Sequence, residues 1–391
     1  MFEHLKNPER VLLGPGPSNA RPNTLLSQAL PLIGHMDNDF VKIMNETSKM
    51  LRIIYGTKNR LTMPISGTGS AGMETVCVNL IEPGDKVLLC INGVFGERWA
   101  NAATRAGAEV TIVRSPWGEA IDASDVEKIL KKDNFKFAGI VHAETSTGVR
   151  QPLTKIGKIA HEHGALFVTD SVTAIGGMPI EADKIGIDAS FSGTQKNLSA
   201  PPGLAPITFG NKAVEAFMNR KIGVRSWYLD LNMITKYWEG KSRAYHHTAP
   251  ISSIYAIYTA LKLIIDEGLE NVFMRHIKMG EALQKGLEIM GLTLFVKNCN
   301  HRLPNLTTVY IPNGIKDLDV RMRLLNEYNI EIGGGLGEYS GNLWRIGLMG
   351  NNCRAKNVYL VLSSLEAILS QLGHKCRRGA AVEAARSIIN N

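Results

Sequence analysis

Short apolar runs alternate with stretches of helical periodicity through the first half of the chain, and this alternation limits the possible folds more than any other feature. The runs occupy residues 61–65, 86–91, 109–113, 137–141 and 166–169. Strands that alternate with helices in this way form a mostly parallel sheet covered by helices on both faces. Ligands of such sheets bind at the carboxyl ends of the strands, so the residues that follow each run are the first candidates for a functional site.

The second half of the chain predicts a smaller unit. Long helical patterns up to residue 290 precede short strand patterns at 305–311 and 330–332, which is typical of a small α+β lobe. Near the start, the alternate prolines of residues 11–19, VLLGPGPSN, exclude a regular helix and predict an extended arm, either plain or laid across a ligand site. The resulting division is an N-terminal arm at residues 1–22, a large domain at 23–265 and a small C-terminal domain at 266–391.

The composition is typical of a soluble globular protein, since 44% of the 391 residues are hydrophobic and 20% are charged. The net charge of +8 comes from scattered basic residues, which predicts no nucleic-acid partner. The five cysteines form no CxxC pair, which argues against a disulfide framework or a zinc site and favours a reducing compartment. Neither a signal core nor a membrane-length apolar run is present, so we expect a cytoplasmic protein without a membrane partner.

Two oppositely charged residues, Asp170 and Lys196, lie at either end of the segment that follows the last apolar run. A carboxylate at the end of a buried strand, such as Asp170, costs free energy unless a cation or a donor lies opposite. Lys196 lies in SGTQKNLSAPPG, an irregular segment in which burial lowers the pKa of an amine. A pyridinium nitrogen on the Asp and an aldehyde on the Lys would explain both, which is the pattern of pyridoxal phosphate. A helix N-cap and a solvated lysine are the alternatives.

The turn SGTGS at residues 66–70 joins a predicted strand to a predicted helix and offers a phosphate site. Unpaired N–H groups at a helix start attract anions, and the hydroxyls of Thr68 and Ser70 add donors, although many such turns are glycine-rich for steric reasons alone. Phe95 and Thr145 also follow predicted strands. The Phe95 ring therefore either faces a ligand or belongs to the core, and Thr145 is able to donate a hydrogen bond to a ligand ring.

Three further features have both a functional and a structural explanation. Arg345 lies inside an apolar strand pattern, WRIG, where it forms either a structural ion pair or a bidentate clamp for a substrate carboxylate. His35 lies either at the mouth of a site or on the surface. The adjacent His246 and His247 suggest a metal, but no third ligand follows at a suitable spacing, and we predict no metal site.

Nine motifs in a fixed order resemble the class V, fold-type I aminotransferases, and among them the alanine–glyoxylate and serine–glyoxylate enzymes. They are LLGPGPSN, SGTGSAGMET, NGVFGER, HAETSTGV, TDSVTAIGG, SGTQKNLSAPPG, YHHTAP, GGGLGE and WRIGLMG, and they span residues 12–350. The resemblance implies pyridoxal 5′-phosphate as the cofactor. It also implies an α/β large domain with a mostly parallel sheet of seven strands between helices, and a smaller C-terminal α+β domain.

The resemblance implies a cofactor role for each matching position. Lys196 would carry the cofactor aldehyde and then move a proton at the substrate, and Asp170 would keep the ring nitrogen protonated. Phe95 would stack on the ring, where relatives often have Trp, and relatives often have His at the position of Ser70. The remaining cofactor contacts implied within the subunit are Thr68, Gly69, Ser70, Thr145, Val172 and Gln195.

Substrate and subunit contacts follow from the same resemblance. Arg345 would bind the substrate α-carboxylate, and Gly16 and His35 would line the pocket for a small substrate. Tyr245 and Thr248 would reach the cofactor phosphate of the neighbouring subunit, so the expected assembly is a homodimer with active sites at the interface.

The expected reaction is the transamination of alanine or serine with glyoxylate, which gives pyruvate or hydroxypyruvate and glycine. One alternative is a ureidoglycine–glyoxylate aminotransferase, which shares the cofactor site and differs at pocket residues such as His35. A cysteine desulfurase-like lyase is another, with Cys353 as its candidate nucleophile. A non-catalytic binding protein on the same fold is the third.

Overall fold

The computed structural model describes residues 6–239 and 243–391, so the first residues of the predicted arm lie outside the described part. The strands are β1 (Val11–Leu12), β2 (Leu61–Ser66), β3 (Lys86–Ile91), β4 (Glu109–Arg114), β5 (Phe137–Val141), β6 (Ala143–Glu144), β7 (Val149–Arg150), β8 (Leu166–Asp170), β9 (Ala189–Phe191), β10 (Leu204–Phe209), β11 (Leu306–Tyr310), β12 (Ile330–Glu331), β13 (Gly333–Gly334) and β14 (Leu343–Gly347).

The helices connect and cover these strands. They are α1 (Pro22–Ser27), α2 (Asn38–Tyr55), α3 (Gly69–Leu80), α4 (Val94–Ala106), α5 (Ala123–Leu130), α6 (Thr154–Glu162), α7 (Ala182–Ile185), α8 (Asn211–Met218), α9 (Leu231–Glu239), α10 (Ile251–Glu267), α11 (Leu269–Ile289), α12 (Asp317–Tyr328), α13 (Ala355–Gln371) and α14 (Ala380–Asn390). Within the described chain, no helix combines the length and the apolar character needed to cross a bilayer.

A seven-stranded sheet with the order β2-β10-β9-β8-β5-β3-β4 forms the centre of the larger lobe. The strands from β9 to β4 are parallel, and Val141 at the end of β5 pairs with Asp170 at the end of β8. Strand β10 is antiparallel to both of its neighbours, β9 and β2. Strand β2 therefore runs in the same direction as the strands from β9 to β4. The predicted mostly parallel, seven-stranded sheet is therefore confirmed, and β2, β3, β5 and β8 end at one edge.

The central strands are buried on both faces. Every residue of β5 and of β10 is buried, and successive side chains of a strand point to opposite faces. Helices α2, α3, α4 and α6 pack against the sheet strands. This double cover explains why the strands read in the sequence as continuous apolar runs instead of alternating patterns.

The smaller lobe is built on the antiparallel sheet β11-β14-β13 and on helices α11 to α14. Its core is separate from that of the larger lobe, and α11 joins the two because Val272 packs in the first core and Leu283 in the second. The predicted large α/β and small α+β units are both present. The exact division at residue 266, which falls at the end of α10, stays a prediction.

The N-terminal arm runs from the small lobe to the edge of the large sheet. Strand β1 pairs in parallel with β12, with Val11 opposite Ile330. Farther along the arm, the Ser18 N–H donates to the Gln195 carbonyl at 2.8 Å and its hydroxyl donates to the Lys196 carbonyl at 2.6 Å. The arm is therefore hydrogen-bonded directly to the lysine-bearing segment.

A buried amide network joins the two lobes behind the same segment. Asn305, just before β11, donates from its side chain to the Thr173 carbonyl at 2.8 Å and to the Asn197 side-chain oxygen at 3.1 Å. Asn197 donates to the same Thr173 carbonyl at 2.5 Å. Because Asn197 follows Lys196 in the chain, the network fixes the lysine segment against the small lobe.

We predict that Asn305→Ala destabilises the protein, because it removes two hydrogen bonds from buried acceptors. The expected loss is about 1–3 kcal/mol, measured as the free energy of unfolding in urea. Asn300→Ala is the control, since the Asn300 side chain is exposed, and should change stability by less than about 0.5 kcal/mol. Equal stability of the two variants would show that the network does not hold the lobes together.

Candidate active site

A pocket lies at the edge of the seven-stranded sheet where the parallel strands end. Its volume of about 210 Å³ is below the range typical of drug-sized ligands, so a compact ligand fits it best. Its lining includes most of the predicted cofactor-binding residues, namely Thr68, Gly69, Ser70, Phe95, Asp170, Val172, Gln195 and Lys196. Three lining residues that the sequence analysis did not identify are Met73, Arg98 and Phe191.

Lys196 is buried in this pocket, with only 9% of its surface exposed. Its ammonium nitrogen contacts the Pro15 carbonyl of the N-terminal arm. Burial, reinforced by the nearby charge of Arg345, lowers the pKa of the Lys196 amine to about 8. An appreciable fraction of the amine is therefore neutral near pH 7, as a nucleophilic lysine requires.

Gly16 leaves the room that the lysine side chain occupies. Its φ of 104° lies in the region that favours glycine, and a Cβ at this position would overlap the end of the Lys196 side chain. The structure thus brings Gly16, which the resemblance placed in the substrate pocket, against the predicted reactive amine.

Asp170 ends β8 on another wall of the same pocket. The Val172 N–H donates to its carboxylate at 2.8 Å, while burial raises the pKa of the Asp170 carboxyl to about 7. A cation placed opposite would favour the ionised form. Asp170 and Lys196 make no direct ion pair, so the space between them is open to a ligand that contacts both.

The SGTGS turn has the features of an anion site. Helix α3 begins at Gly69, and its N-cap residue, Thr68, makes no side-chain capping bond. Among the described residues, the N–H groups of Gly69 and Ser70 have no acceptor. Two free donors at the positive end of a helix bind a phosphate well, so the turn fits a phosphorylated ligand.

Phe95 and Arg98 form a second wall of the pocket. The two residues lie one turn apart at the start of α4, and the Arg98 guanidinium carbon lies 5.1 Å from the centre of the Phe95 ring. The i, i+3 spacing places such side chains on one helix face, so the position of Arg98 could have been inferred once Phe95 was chosen. The wall combines an aromatic face with a positive charge.

Arg345 is a buried cation on β14 near the reactive amine. Its Nε donates to the Gly334 carbonyl at 2.7 Å and its Nη1 to the Thr145 carbonyl at 3.3 Å. Within the described chain it forms no salt bridge with a carboxylate, and burial lowers the pKa of its guanidinium to about 10. A buried guanidinium held only by carbonyls is suited to a ligand carboxylate. Thr145 is itself buried and meets Arg345 through its backbone instead of lining the pocket.

Three predicted site residues lie together elsewhere. Tyr245 and Thr248 are exposed, with their hydroxyl oxygens 3.4 Å apart, and the His35 ring lies 5.1 Å from that of Tyr245. None of the three lines the lysine pocket of its own chain. The segment is tied to the pocket edge, because the His247 Nε2 lies 2.8 Å from the Ser66 hydroxyl at the end of β2.

The adjacent histidines have hydrogen-bond partners. Their Nδ1 atoms lie 2.8 Å apart, and His246 Nε2 lies 3.2 Å from the Trp227 carbonyl. Burial lowers the pKa of His247 to about 4, so this ring is neutral near pH 7. In the part of the chain that the structure describes, no group of three or more His, Cys, Asp or Glu side chains is arranged to hold a metal ion.

Glu144 was missed by the sequence analysis although it lies in the HAETSTGV motif. Its carboxylate is fully buried between the start of α4 and the loop that carries Thr145. Burial raises the pKa of the Glu144 carboxyl. A carboxylate three positions after the end of a buried strand, among small and hydroxyl residues, is the signal that could have drawn attention to it.

Comparisons with known proteins agree on one family. The family model described as "Aminotransferase class-V" matches residues 26–356. Alanine–glyoxylate aminotransferase of Rattus norvegicus is 41% identical over 368 residues, which cover 93% of this chain and 89% of the relative.

Two solved structures are similar over nearly the whole chain. The alanine–glyoxylate aminotransferase of Nostoc sp. has a TM-score of 0.92 and 46% identity, and the match covers 94% of this chain and 97% of that one. Ureidoglycine–glyoxylate aminotransferase of Bacillus subtilis has a TM-score of 0.97 and 40% identity, with complete coverage of both chains.

We predict that the cofactor-free protein reacts with pyridoxal phosphate faster as the pH rises, and that the rate levels off above about pH 8, the pKa of the Lys196 amine. Only the neutral amine attacks an aldehyde, and below its pKa the neutral fraction falls about tenfold per pH unit. Stopped-flow absorbance measures the rate. Free lysine, measured in parallel, corrects for titration of the cofactor itself, and a rate that still rises at about pH 10, as for an ordinary lysine, would contradict the lowered pKa.

Proposed function

Because the chain belongs to the class V aminotransferases, we propose that it transfers the amino group of L-alanine or L-serine to glyoxylate, with pyridoxal phosphate as its cofactor. The products are pyruvate or hydroxypyruvate and glycine. The observation that carries the proposal is the placement of a buried amine, Lys196, and a buried carboxylate, Asp170, on two walls of one pocket beside free helix N–H groups.

The residues of the pocket fit the cofactor in charge and shape. The N–H groups of Gly69 and Ser70 and the amide of Gln195 would hold its phosphate, Phe95 would lie against its ring, and Asp170 would face its ring nitrogen. When bound, pyridoxal phosphate supplies an aldehyde and an electron-withdrawing ring.

The chain's own groups then bind the substrate and move a proton. Arg345 binds the carboxylate of the amino acid or oxo acid, because its guanidinium is buried near Lys196 and lacks a carboxylate partner among the described side chains. The Lys196 amine, with its lowered pKa, would accept the Cα proton of the amino donor and, in the second half of the reaction, would deliver a proton to the carbon of glyoxylate that becomes the glycine Cα. The Pro15–Gly16 backbone lies against the end of the Lys196 side chain, which favours small substrates.

Ureidoglycine is the second candidate donor. The full-length match to the Bacillus subtilis enzyme, with a TM-score of 0.97, favours it as strongly as the higher identity of the Nostoc protein favours alanine. A cysteine desulfurase-like reaction has no comparable support. Cys353 is fully buried, and burial raises the pKa of its thiol to about 12, so it is not an available nucleophile.

We further propose a homodimer in which Tyr245 and Thr248 complete the partner's site. Both side chains are exposed and lie outside the pocket of their own subunit. Nearby in the sequence, Trp227 is 60% exposed, and Leu26 and Leu32 near the N-terminus are 68% and 67% exposed, which is apolar surface that a partner would cover. The free cysteines support a reducing, cytoplasmic location.

A panel of amino donors with glyoxylate tests the function and separates its two candidates. We expect alanine or serine to lower the absorbance of the cofactor band. We also expect each donor to yield glycine and one equivalent of its oxo acid, measured by chromatography. Ureidoglycine as the donor with the highest kcat/KM would assign the protein to the second candidate. Failure of all three donors to yield glycine would overturn the proposed reaction.

Subunit mixing tests the shared site. We expect Lys196→Ala and the double variant Tyr245→Phe/Thr248→Ala each to lose most activity, and their co-expressed mixed dimer to regain it. In that dimer one site carries all of the substitutions and the other carries none. Activity of the purified mixed dimer is the measurement, with each homodimer as control; a mixed dimer no more active than the homodimers would show that each site is built within one chain.

A further inference from the structure

Glu144 is a fully buried carboxylate whose four hydrogen bonds join two segments of the pocket. One oxygen accepts from the backbone N–H groups of Phe95 at 3.1 Å and Gly96 at 3.4 Å. The other accepts from the backbone N–H of Ser146 at 3.0 Å and from its hydroxyl at 2.6 Å. The carboxylate therefore connects the first turn of α4 with the loop that follows β6.

This contact replaces the ordinary cap of α4. The N-cap residue is Gly93, which has no side chain to cap the helix. The Val94 N–H donates to the Ser146 hydroxyl at 2.9 Å, so three successive N–H groups of the first turn end on Glu144 and Ser146. A Cβ at Gly93 would overlap both capping side chains, so glycine is required for this close approach. A negative charge here is also favoured by the helix dipole.

One of the two connected segments lines the pocket, and the other orients Arg345. Phe95 lies in the first turn of α4 and lines the pocket. Thr145 lies between Glu144 and Ser146, and its carbonyl accepts the Arg345 Nη1. The hydrogen bonds of Glu144 thus fix the position of the Phe95 ring relative to the Thr145 carbonyl, which orients the Arg345 guanidinium.

The charge of Glu144 also reaches two groups of the site. It raises the pKa of the Arg345 guanidinium, which burial lowers. It opposes ionisation of Asp170, where the charges of Lys196 and Arg98 act in the opposite sense. The alignment of Arg345 therefore rests on the hydrogen bond to the Thr145 carbonyl and not on this charge.

We propose that Glu144 is a positioning residue, which aligns the Phe95 ring with the cofactor and the Arg345 guanidinium with the substrate carboxylate. The proposal rests on the proposed function. Glu144 touches neither reactant, and it acts through the helix start and the Thr145 carbonyl.

Glu144→Gln tests the proposal in the holoenzyme, because it keeps the shape of the side chain but turns one acceptor into a donor. We expect the dissociation constant of pyridoxal phosphate to rise about tenfold or more, as the loss of a buried hydrogen-bond partner implies. The visible circular dichroism of the bound cofactor should change, since it reports the orientation of the ring, and KM for the amino donor should rise more than kcat falls. A residue needed for folding alone would leave the visible dichroism and KM of the folded fraction unchanged.

Two further variants make the test decisive. Glu97→Gln lies on the same helix and breaks only the exposed pair with Arg114, so it should leave all three quantities unchanged. Ser146→Ala should shift them in the same direction as Glu144→Gln but less, and it decides the outcome if Glu144→Gln does not fold. The combined variant should show less than the sum of the two effects, because the residues share one network.

The outcomes separate this proposal from the function on which it rests. Borohydride reduction of the wild-type holoenzyme, followed by mass spectrometry, should place a pyridoxyl group on Lys196. If that group is present and Glu144→Gln matches the wild type, the positioning role is wrong and the function stands. If the wild type carries no such group, both proposals are overturned.

Discussion

The active pocket depends on two opposite charges that are buried without touching one another. Lys196 is held by a backbone carbonyl of the N-terminal arm, and Asp170 by a backbone N–H two residues farther along its own loop. Neither contact neutralises a full charge, and burial moves both pKa values towards neutrality. A ligand that offers an electrophile to one and a cation to the other relieves both costs. Binding of such a ligand is therefore favourable for both groups before any reaction takes place.

The rest of the fold keeps those two groups in place. Asp170 ends a strand of the parallel sheet, so its backbone is held by β5 on one side and β9 on the other. Lys196 lies in irregular chain, and its position depends on contacts from outside the sheet. The arm bonds to its carbonyl through Ser18, and the small lobe reaches its neighbour Asn197 through Asn305. Two parts of the chain that are distant in sequence, the arm and the small lobe, thus hold the segment that carries this amine.

Backbone groups make many of the contacts in this site. The SGTGS turn offers free N–H groups, Arg345 is oriented by two carbonyls, and Lys196 contacts a third. Such contacts have no side-chain signature, and their geometry is set by the elements that bring the backbone there. Glu144 illustrates the consequence, because a side chain that does not line the pocket is hydrogen-bonded both to the helix start that carries Phe95 and to the loop whose carbonyl orients Arg345.

The sequence by itself determined the parallel sheet, the edge of the sheet at which the pocket lies and most of the residues that line this pocket, because strand periodicity and strand ends are local properties. The antiparallel insertion of β10 was not predicted, since an apolar run does not state its direction. The role of Arg98 beside Phe95 was missed, although the i, i+3 spacing on one helix is a local signal. The sequence did not reveal Glu144 as the cap of helix α4, because this contact joins Glu144 to Phe95, 49 residues earlier in the chain. Only the tertiary structure decided that Tyr245, Thr248 and His35 lie apart from the lysine of their own chain, since distance between remote segments is set by packing and not by sequence spacing.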